Sequence, residues 1–228
     1  MVGPWWSAVR ARDDPDSRAR IRPRLRADRS AHGVRAGTLA GSESRPGCTG
    51  VAPFDDALSY RPELGTTIVL VSRDGGDPAT FEHDALFHFH VTNAHEAGDR
   101  TVVELVAHDP AGGWEGWNGH LRNYWGDAGP AFGGTLTRLT VDRRARRITA
   151  TALDDHGCEF PRLDPRFATT EHRYSYTASA SVPGGDPDSV TMIDHRTGTT
   201  NRYTAEAGTT VCEPLFAPAA TPRAAADR

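Results

Sequence analysis

From about Arg61 onward the chain is a succession of short runs rich in β-branched and aromatic residues, each closed by Gly, Asp or Pro. GTTIVLVSRDGG, ALFHFHVTN, TVVELVAHD, GTLTRLTVDRR, RRITATALDD, HRYSYTASAS, SVTMIDHRTG and TTVCEPLF follow one another in this style. Such runs predict strands, and their terminators predict turns. TLTRLTVD and RRITATALD alternate at period two, which puts apolar residues on one face and polar residues on the other. Asp142-Arg143-Arg144-Ala145 is placed to close a hairpin between them, and Asp194-His195-Arg196-Thr197-Gly198 to close another. No segment carries a sustained helical stripe. The fold class is therefore all-β, and strand spacing alone leaves a sandwich, a barrel and part of a propeller open.

Residues 1–59 lack either periodicity and are rich in Arg, Asp and Pro. A segment with so little to bury cannot offset its ordering entropy, so a disordered or mis-started tail is expected there. Residues 219–228 read as a loose, Ala- and Pro-rich C-terminal tail.

Composition narrows the function classes. The chain of 228 residues has a formal net charge of −4, and all 26 of its basic residues are arginine. Mild acidity without a basic, aromatic-lined stripe excludes a nucleic-acid role. The three cysteines, Cys48, Cys158 and Cys212, are too few and too widely spaced for a disulfide framework or a cysteine zinc site. No apolar run reaches the length of a membrane span or a signal peptide, so a cytoplasmic protein is expected.

The densest chemistry lies in Phe87-His88-Phe89-His90-Val91-Thr92-Asn93-Ala94-His95-Glu96. In a strand, His88 and His90 would share one face, with Phe87 and Phe89 on the other. Two imidazoles on one face suit a metal, provided an acceptor holds each ring's other nitrogen. The same spacing also suits half-exposed strand histidines. The other histidines, His83, His108, His120, His156, His172 and His195, fall near turns and read as surface residues.

Phe89-His90-x-x-Asn93-Ala94-x-Glu96 resembles the FHxxNAxE signature of the carotenoid cleavage oxygenases, the family that includes the lignostilbene dioxygenases. Tyr60-Arg61-Pro62-Glu63-Leu64-Gly65-Thr66 resembles the entry to the preceding strand. Glu159-Phe160-Pro161-Arg162-Leu163-Asp164 resembles the family's EFPRIN-like segment, and Arg173-Tyr174-Ser175-Tyr176 its RYxY. Glu213-Pro214-Leu215-Phe216-Ala217-Pro218 resembles EPxFVP. Five matches in family order cover residues 60–218 and correspond to the family's C-terminal half.

The resemblance implies three to four blades of a seven-bladed β-propeller. It implies an oxidoreductase, a dioxygenase in which Fe(2+) held by four histidines cleaves a C=C bond to two carbonyl products. The substrates it implies are an apolar polyene or stilbene and O2, with peripheral membrane contact for substrate uptake. By the motif match His90 would be an iron ligand. Glu159 and Glu213 would accept the outer ring hydrogen of ligand histidines. In the blade setting Trp114, Trp117 and Trp125 suit packing between blades, or the lining of an apolar tunnel. The family's first two ligands sit in AHPHxD- and HDF-like segments, which nothing before Tyr60 matches. Its fourth lies beyond the EPxFVP segment. The expectation is a truncated or frameshifted chain carrying part of the iron site, with His90 towards the centre, Glu159 beside it, and Glu213 facing solvent or an arginine. Two other readings stay open: a catalytically inactive fragment of the family, or a cupin-like binding module in which His88-x-His90 is the metal pair.

Overall fold

The computed structural model describes residues 62–72, 76–108, 133–183 and 185–218, together with short strands at Leu25–Arg26, His32–Val34, Leu39–Gly41 and Leu58–Tyr60, here β1 to β4. Ten further strands follow: β5 (Thr66–Ser72), β6 (Ala79–His83), β7 (Val91–Ala97), β8 (Arg100–Ala107), β9 (Thr135–Asp142), β10 (Arg147–Ala152), β11 (Cys158–Arg162), β12 (Tyr174–Ser179), β13 (Ser189–Asp194) and β14 (Thr199–Thr204). They form three four-stranded antiparallel sheets in the orders β1-β2-β5-β6, β10-β9-β8-β7 and β11-β12-β13-β14, with a separate β3-β4 pair. Two 3-10 turns, Pro62–Leu64 and Pro165–Phe167, are the helical elements among the described residues. The all-β expectation therefore holds, with three blade-like sheets.

The second and third sheets are up-and-down meanders whose hairpins close where the turn chemistry predicts. Asp142 pairs with Arg147, and its carboxylate accepts from the Ala145 backbone N–H at 2.8 Å. Asp194 pairs with Thr199 around Gly198, whose positive φ of 70° a glycine adopts at no steric cost. Within residues 1–59 the described strands supply β1 and β2 to the first sheet as well as β3 and part of β4. These strands are two or three residues long, too short for any period to show.

Packing runs between the sheets. Val103 and Leu105 on β8, with Leu139 and Val141 on β9, meet Ile68, Leu70 and Phe81 of the first sheet in one apolar cluster. The opposite face of the same strands turns Val106 and Leu136 towards Cys158 and Ile193 of the third sheet. Period-two alternation thus gives each side of β8 and β9 a different neighbour. β10 and β14 lie at the exposed ends of their sheets, so the apolar side of RITATA is largely uncovered.

The second and third sheets are pinched together at Gly133-Gly134. Gly134 exchanges two backbone hydrogen bonds with Cys158, at 2.8 and 2.9 Å. A Cβ on Gly133 would lie 2.5 Å from Cys158 backbone atoms, and one on Gly134 would lie 2.4 Å from the Ala107 carbonyl oxygen. Only glycine permits this approach, which brings β11 against the end of β8.

Candidate metal centre

Glu159 is aimed by an irregularity in its own strand. β11 is the first strand of its sheet, so Pro161 interrupts no ladder on its free side. The pairing register slips between Glu159 and Arg162, and Phe160 takes φ 53°. A left-handed backbone costs a bulky residue about 1–2 kcal/mol, and the following proline disfavours it further. What the bulge achieves is local: the Phe160 N–H donates to Glu159 Oε2 at 2.9 Å, and the Phe160 ring lies 5.1 Å from the His90 ring.

His90 sits one residue before β7, held to β8 by a hydrogen bond from Val106 N to its carbonyl at 3.1 Å. Its Nδ1 donates to Glu159 Oε2 at 2.7 Å. That bond is the main reason the His90 pKa is raised; partial burial opposes it. Nε2 has no hydrogen-bond partner among the described residues, and the side chain is 43% exposed. The other oxygen of Glu159 accepts from His108 Nε2 at 2.6 Å. The Glu159 side chain is 8% exposed; burial alone would raise its pKa, but the bonds from His108 and His90 bring it below the ordinary value. Phe87 and Phe89 pack edge to face at 4.7 Å and flank the His108 ring at 5.6 and 5.5 Å.

His88 is not the twin of His90 that regular strand spacing suggests. Phe87 makes an isolated bridge to His108, and β7 begins only at Val91, so residues 87–90 do not alternate as one strand. His88 makes no hydrogen bond to a carboxylate among the described residues. Burial pushes its pKa down to about 4, the Glu159 charge opposing this and the neighbouring His108 and His90 adding to it. Among the described residues Glu213 meets no histidine. It forms an ion pair with Arg162, both side chains being roughly half exposed, and its charge adds to the upward shift of His90. Trp114, Trp117, Trp125 and His120 lie outside the described residues.

A second carboxylate collects histidines deeper in the same inter-sheet face. Glu104, 1% exposed, lies 3.1 Å from His172 Nε2 and 3.4 Å from His195 Nε2. Arg138 donates to its Oε1 through Nε at 3.0 Å and Nη2 at 2.6 Å. Ser175 Oγ stands 2.9 Å from His172 Nε2 and 2.8 Å from His195 Nε2. Burial alone would raise the Glu104 pKa, yet the His172 bond and the charges of His195, His172 and Arg138 hold it at about 2.

These three donors are close enough for a cation, but hydrogen bonding speaks against one. Asn93 Oδ1 accepts from Thr169 N at 2.8 Å and its Nδ2 donates to Thr170 O at 2.9 Å, which fixes the amide orientation. The remaining amide hydrogen faces His172 Nδ1 at 3.1 Å, its nearer acceptor, with the Phe167 carbonyl at 3.4 Å. Nδ1 must therefore be bare and Nε2 protonated, the reverse of what a metal at Nε2 requires. The turn of Asp154, Asp155 and His156 also groups donors, but Asp155 is fully out in solvent.

His108, His172 and His195 are thus buried partners of carboxylates, where sequence reading placed them on the surface. Nearness to turns misled, because these turns fold in between sheets. One signal was available for His108: Glu104, Val106 and His108 share the parity that faces the third sheet. Nothing comparable marks His172 or His195.

The family model described as retinal pigment epithelial membrane protein matches residues 36–227, beyond the motif-bearing stretch at both ends. The carotenoid isomerooxygenase of Galleria mellonella is 30% identical over 175 residues, covering 73% of this chain and 34% of that protein. The apocarotenoid-15,15'-oxygenase of Synechocystis is 23% identical over 171 residues, covering 74% of this chain and 34% of its own length. The isoeugenol monooxygenase of Pseudomonas putida is 31% identical over 127 residues, 51% of this chain and 24% of that enzyme. The chain therefore spans about a third, or less, of the curated relatives it matches. Among solved structures, an ACO/RPE65 chimera superposes with a TM-score of 0.66 at 20% identity, over 82% of this chain and 39% of the chimera. Cobalt-substituted Synechocystis ACO superposes with a TM-score of 0.63 at 21% identity, over 78% of this chain and 37% of that one.

Proposed function

Because this chain belongs to the carotenoid oxygenase family, we propose that it contributes to a non-haem Fe(II) centre that cleaves a C=C bond of a carotenoid, apocarotenoid or stilbene. The reaction balances without an external reductant: the alkene and O2 give two carbonyl products, one oxygen atom in each. When bound, Fe(II) supplies the O2 chemistry that protein side chains lack. Everything else falls to the residues. Uptake of an apolar substrate through peripheral membrane contact, and a cytoplasmic location, belong to the same reading.

The observation that carries this reading is the polarity of the His90–Glu159 pair. A ligand histidine must offer one bare nitrogen and donate from the other, and a carboxylate behind it fixes that tautomer and raises its basicity. Glu159 takes the Nδ1 hydrogen at 2.7 Å, which leaves Nε2 as the donor atom on a half-exposed ring. The residues therefore fit one ligand position. Glu213, tied to Arg162 in the same neighbourhood, is available to a second imidazole that displaces the arginine. A single imidazole does not hold Fe(II) against water, so the chain alone should bind metal weakly and show no appreciable turnover. This favours, as the second reading, an inactive family fragment over a cupin-like module, since His88 lacks the supporting carboxylate bond that His90 has.

The test is a zinc titration of the purified chain followed at the histidine ring nitrogens by NMR, beside an aerobic assay with Fe(II) and a stilbene. His90 Nε2 is expected to shift, and His90→Ala to abolish the response. Shifts confined to His172 and His195 would sink the assignment of His90. Stoichiometric iron with turnover would overturn the inactive reading.

A further inference from the structure

Glu159 accepts from two imidazoles at once, and the family motif accounts for only one of them. Oε2 takes the hydrogens of His90 Nδ1 and of the Phe160 backbone N–H, while Oε1 takes that of His108 Nε2 at 2.6 Å. An ionised carboxylate is acceptor-only, so both rings must present N–H groups to it. With donors on both oxygens, rotation of the carboxylate plane breaks a bond at one end or the other. Without His108, Oε1 would be a buried acceptor lacking this partner, and the plane would be free to turn towards water.

His108 is itself held on several sides. Its backbone N–H donates to the Phe87 carbonyl at 2.9 Å, which ties the end of β8 to the segment carrying His90. Its ring is flanked by Phe87 and Phe89, and the Phe89 ring lies 6.4 Å from that of His90. The side chain is 11% exposed, so little water competes for the Glu159 bond. Its Nε2 is committed to Glu159 and is not free for a cation, which separates its role from that of His90.

We infer that His108 is a positioning residue for the metal centre: through Glu159 it fixes His90 as the Nδ1–H tautomer with a bare Nε2 for a divalent cation. The inference rests on the reading of His90 as a ligand, but the tautomer can be observed without any metal.

The experiment uses the full chain without metal, and long-range proton–nitrogen NMR of its histidine rings above their titration range. In the wild type His90 is expected wholly as Nδ1–H and His108 as Nε2–H; the opposite tautomer at either ring overturns the inference with no variant needed. His108→Phe keeps an aromatic body and removes the donor. It is expected to turn His90 into a mixture of tautomers and to weaken zinc binding at His90 roughly tenfold, the scale on which supporting partners of ligand histidines act. His108→Gln returns an N–H donor and is expected to restore the single tautomer and most of the affinity. If His108→Phe folds and leaves both the His90 tautomer and zinc binding unchanged, the inference fails while the ligand reading stands. If zinc shifts survive His90→Ala, the ligand reading fails, and the tautomer in His108→Phe still decides whether His108 positions His90.

Discussion

Glu159 and Glu104 both draw two imidazoles, from strands and loops distant in sequence, into the interface between the second and third sheets. β8 carries Glu104 of one group, and His108 of the other follows directly on its end, about 13 Å further along the strand direction. Between them Val106 packs with Leu136, Cys158 and Ile193 and keeps water from joining the two. They differ in what is left over. Around Glu104 the arginine, both histidines and Ser175 turn towards the carboxylate, and Asn93 locks His172 in the tautomer that closes the network. Around Glu159 no arginine among the described residues bonds the carboxylate, and His90 keeps one nitrogen pointing away on a half-exposed ring. The first arrangement is a buttress. The second has the form of a site, because an unspent donor atom is what a ligand position needs.

The sharpest way to break this comparison is to remove the buttress charge. Arg138→Leu strips the bonded guanidinium from a buried carboxylate and is expected to cost about 3–5 kcal/mol of stability. A urea melt reads the loss directly, while the tautomer of His90 in the remaining folded protein should not change. A loss below about 1 kcal/mol would mean that His172 and His195 carry the charge by themselves, and the distinction between the clusters would weaken.

Acid should act next, and mostly through the buried groups. His195 is held down to about 4, chiefly by burial, with the Glu104 charge opposing. The unfolded chain takes up that proton from pH 6.5 downward while the folded chain resists, so stability falls as pH drops from 6.5 through 4. His88, also held near 4, adds a loss of the same sign. Glu104, held at about 2, adds a further loss as pH falls from about 4.5 towards 2. His90 has the opposite sign: its raised pKa stabilises below 6.5, and the contribution fades as pH rises through the folded value. Thermal melts from pH 7 to 4 should decline, and His195→Gln should make the decline shallower. An unchanged slope would show that His195 is accessible to protons in the fold.

The smallest effect concerns the loop that Asn93 holds. Thr169 has φ 67°, an unfavourable backbone for a β-branched residue, and its N–H is bonded to Asn93. Thr169→Gly relieves a strain of about 1 kcal/mol, though added freedom in the unfolded chain subtracts from the gain. A slightly higher melting midpoint with the His172 tautomer retained is expected. Loss of that tautomer would show that the strained threonine itself sets the lock.

Much of the architecture is legible in the sequence. Alternation in TLTRLTVD marked β9, and Asp142 and Asp194 marked the hairpins that they do close. The motif around His90 and the Glu-Phe-Pro-Arg segment paired two residues 69 positions apart, and they are bonded. These features are local, or are carried by a family pattern that already encodes a contact. His108, His172 and His195 were not legible. Parity says which face of a strand a side chain takes, but not what that face meets. Only the closure at Gly133-Gly134 brings β11 to the end of β8, so that one carboxylate can reach an imidazole 51 residues away. The strands follow from backbone preferences and side-chain period. The two carboxylate clusters follow from the packing of sheets, which removes water and brings the Glu104 and Glu159 carboxylates against imidazoles from the facing sheet.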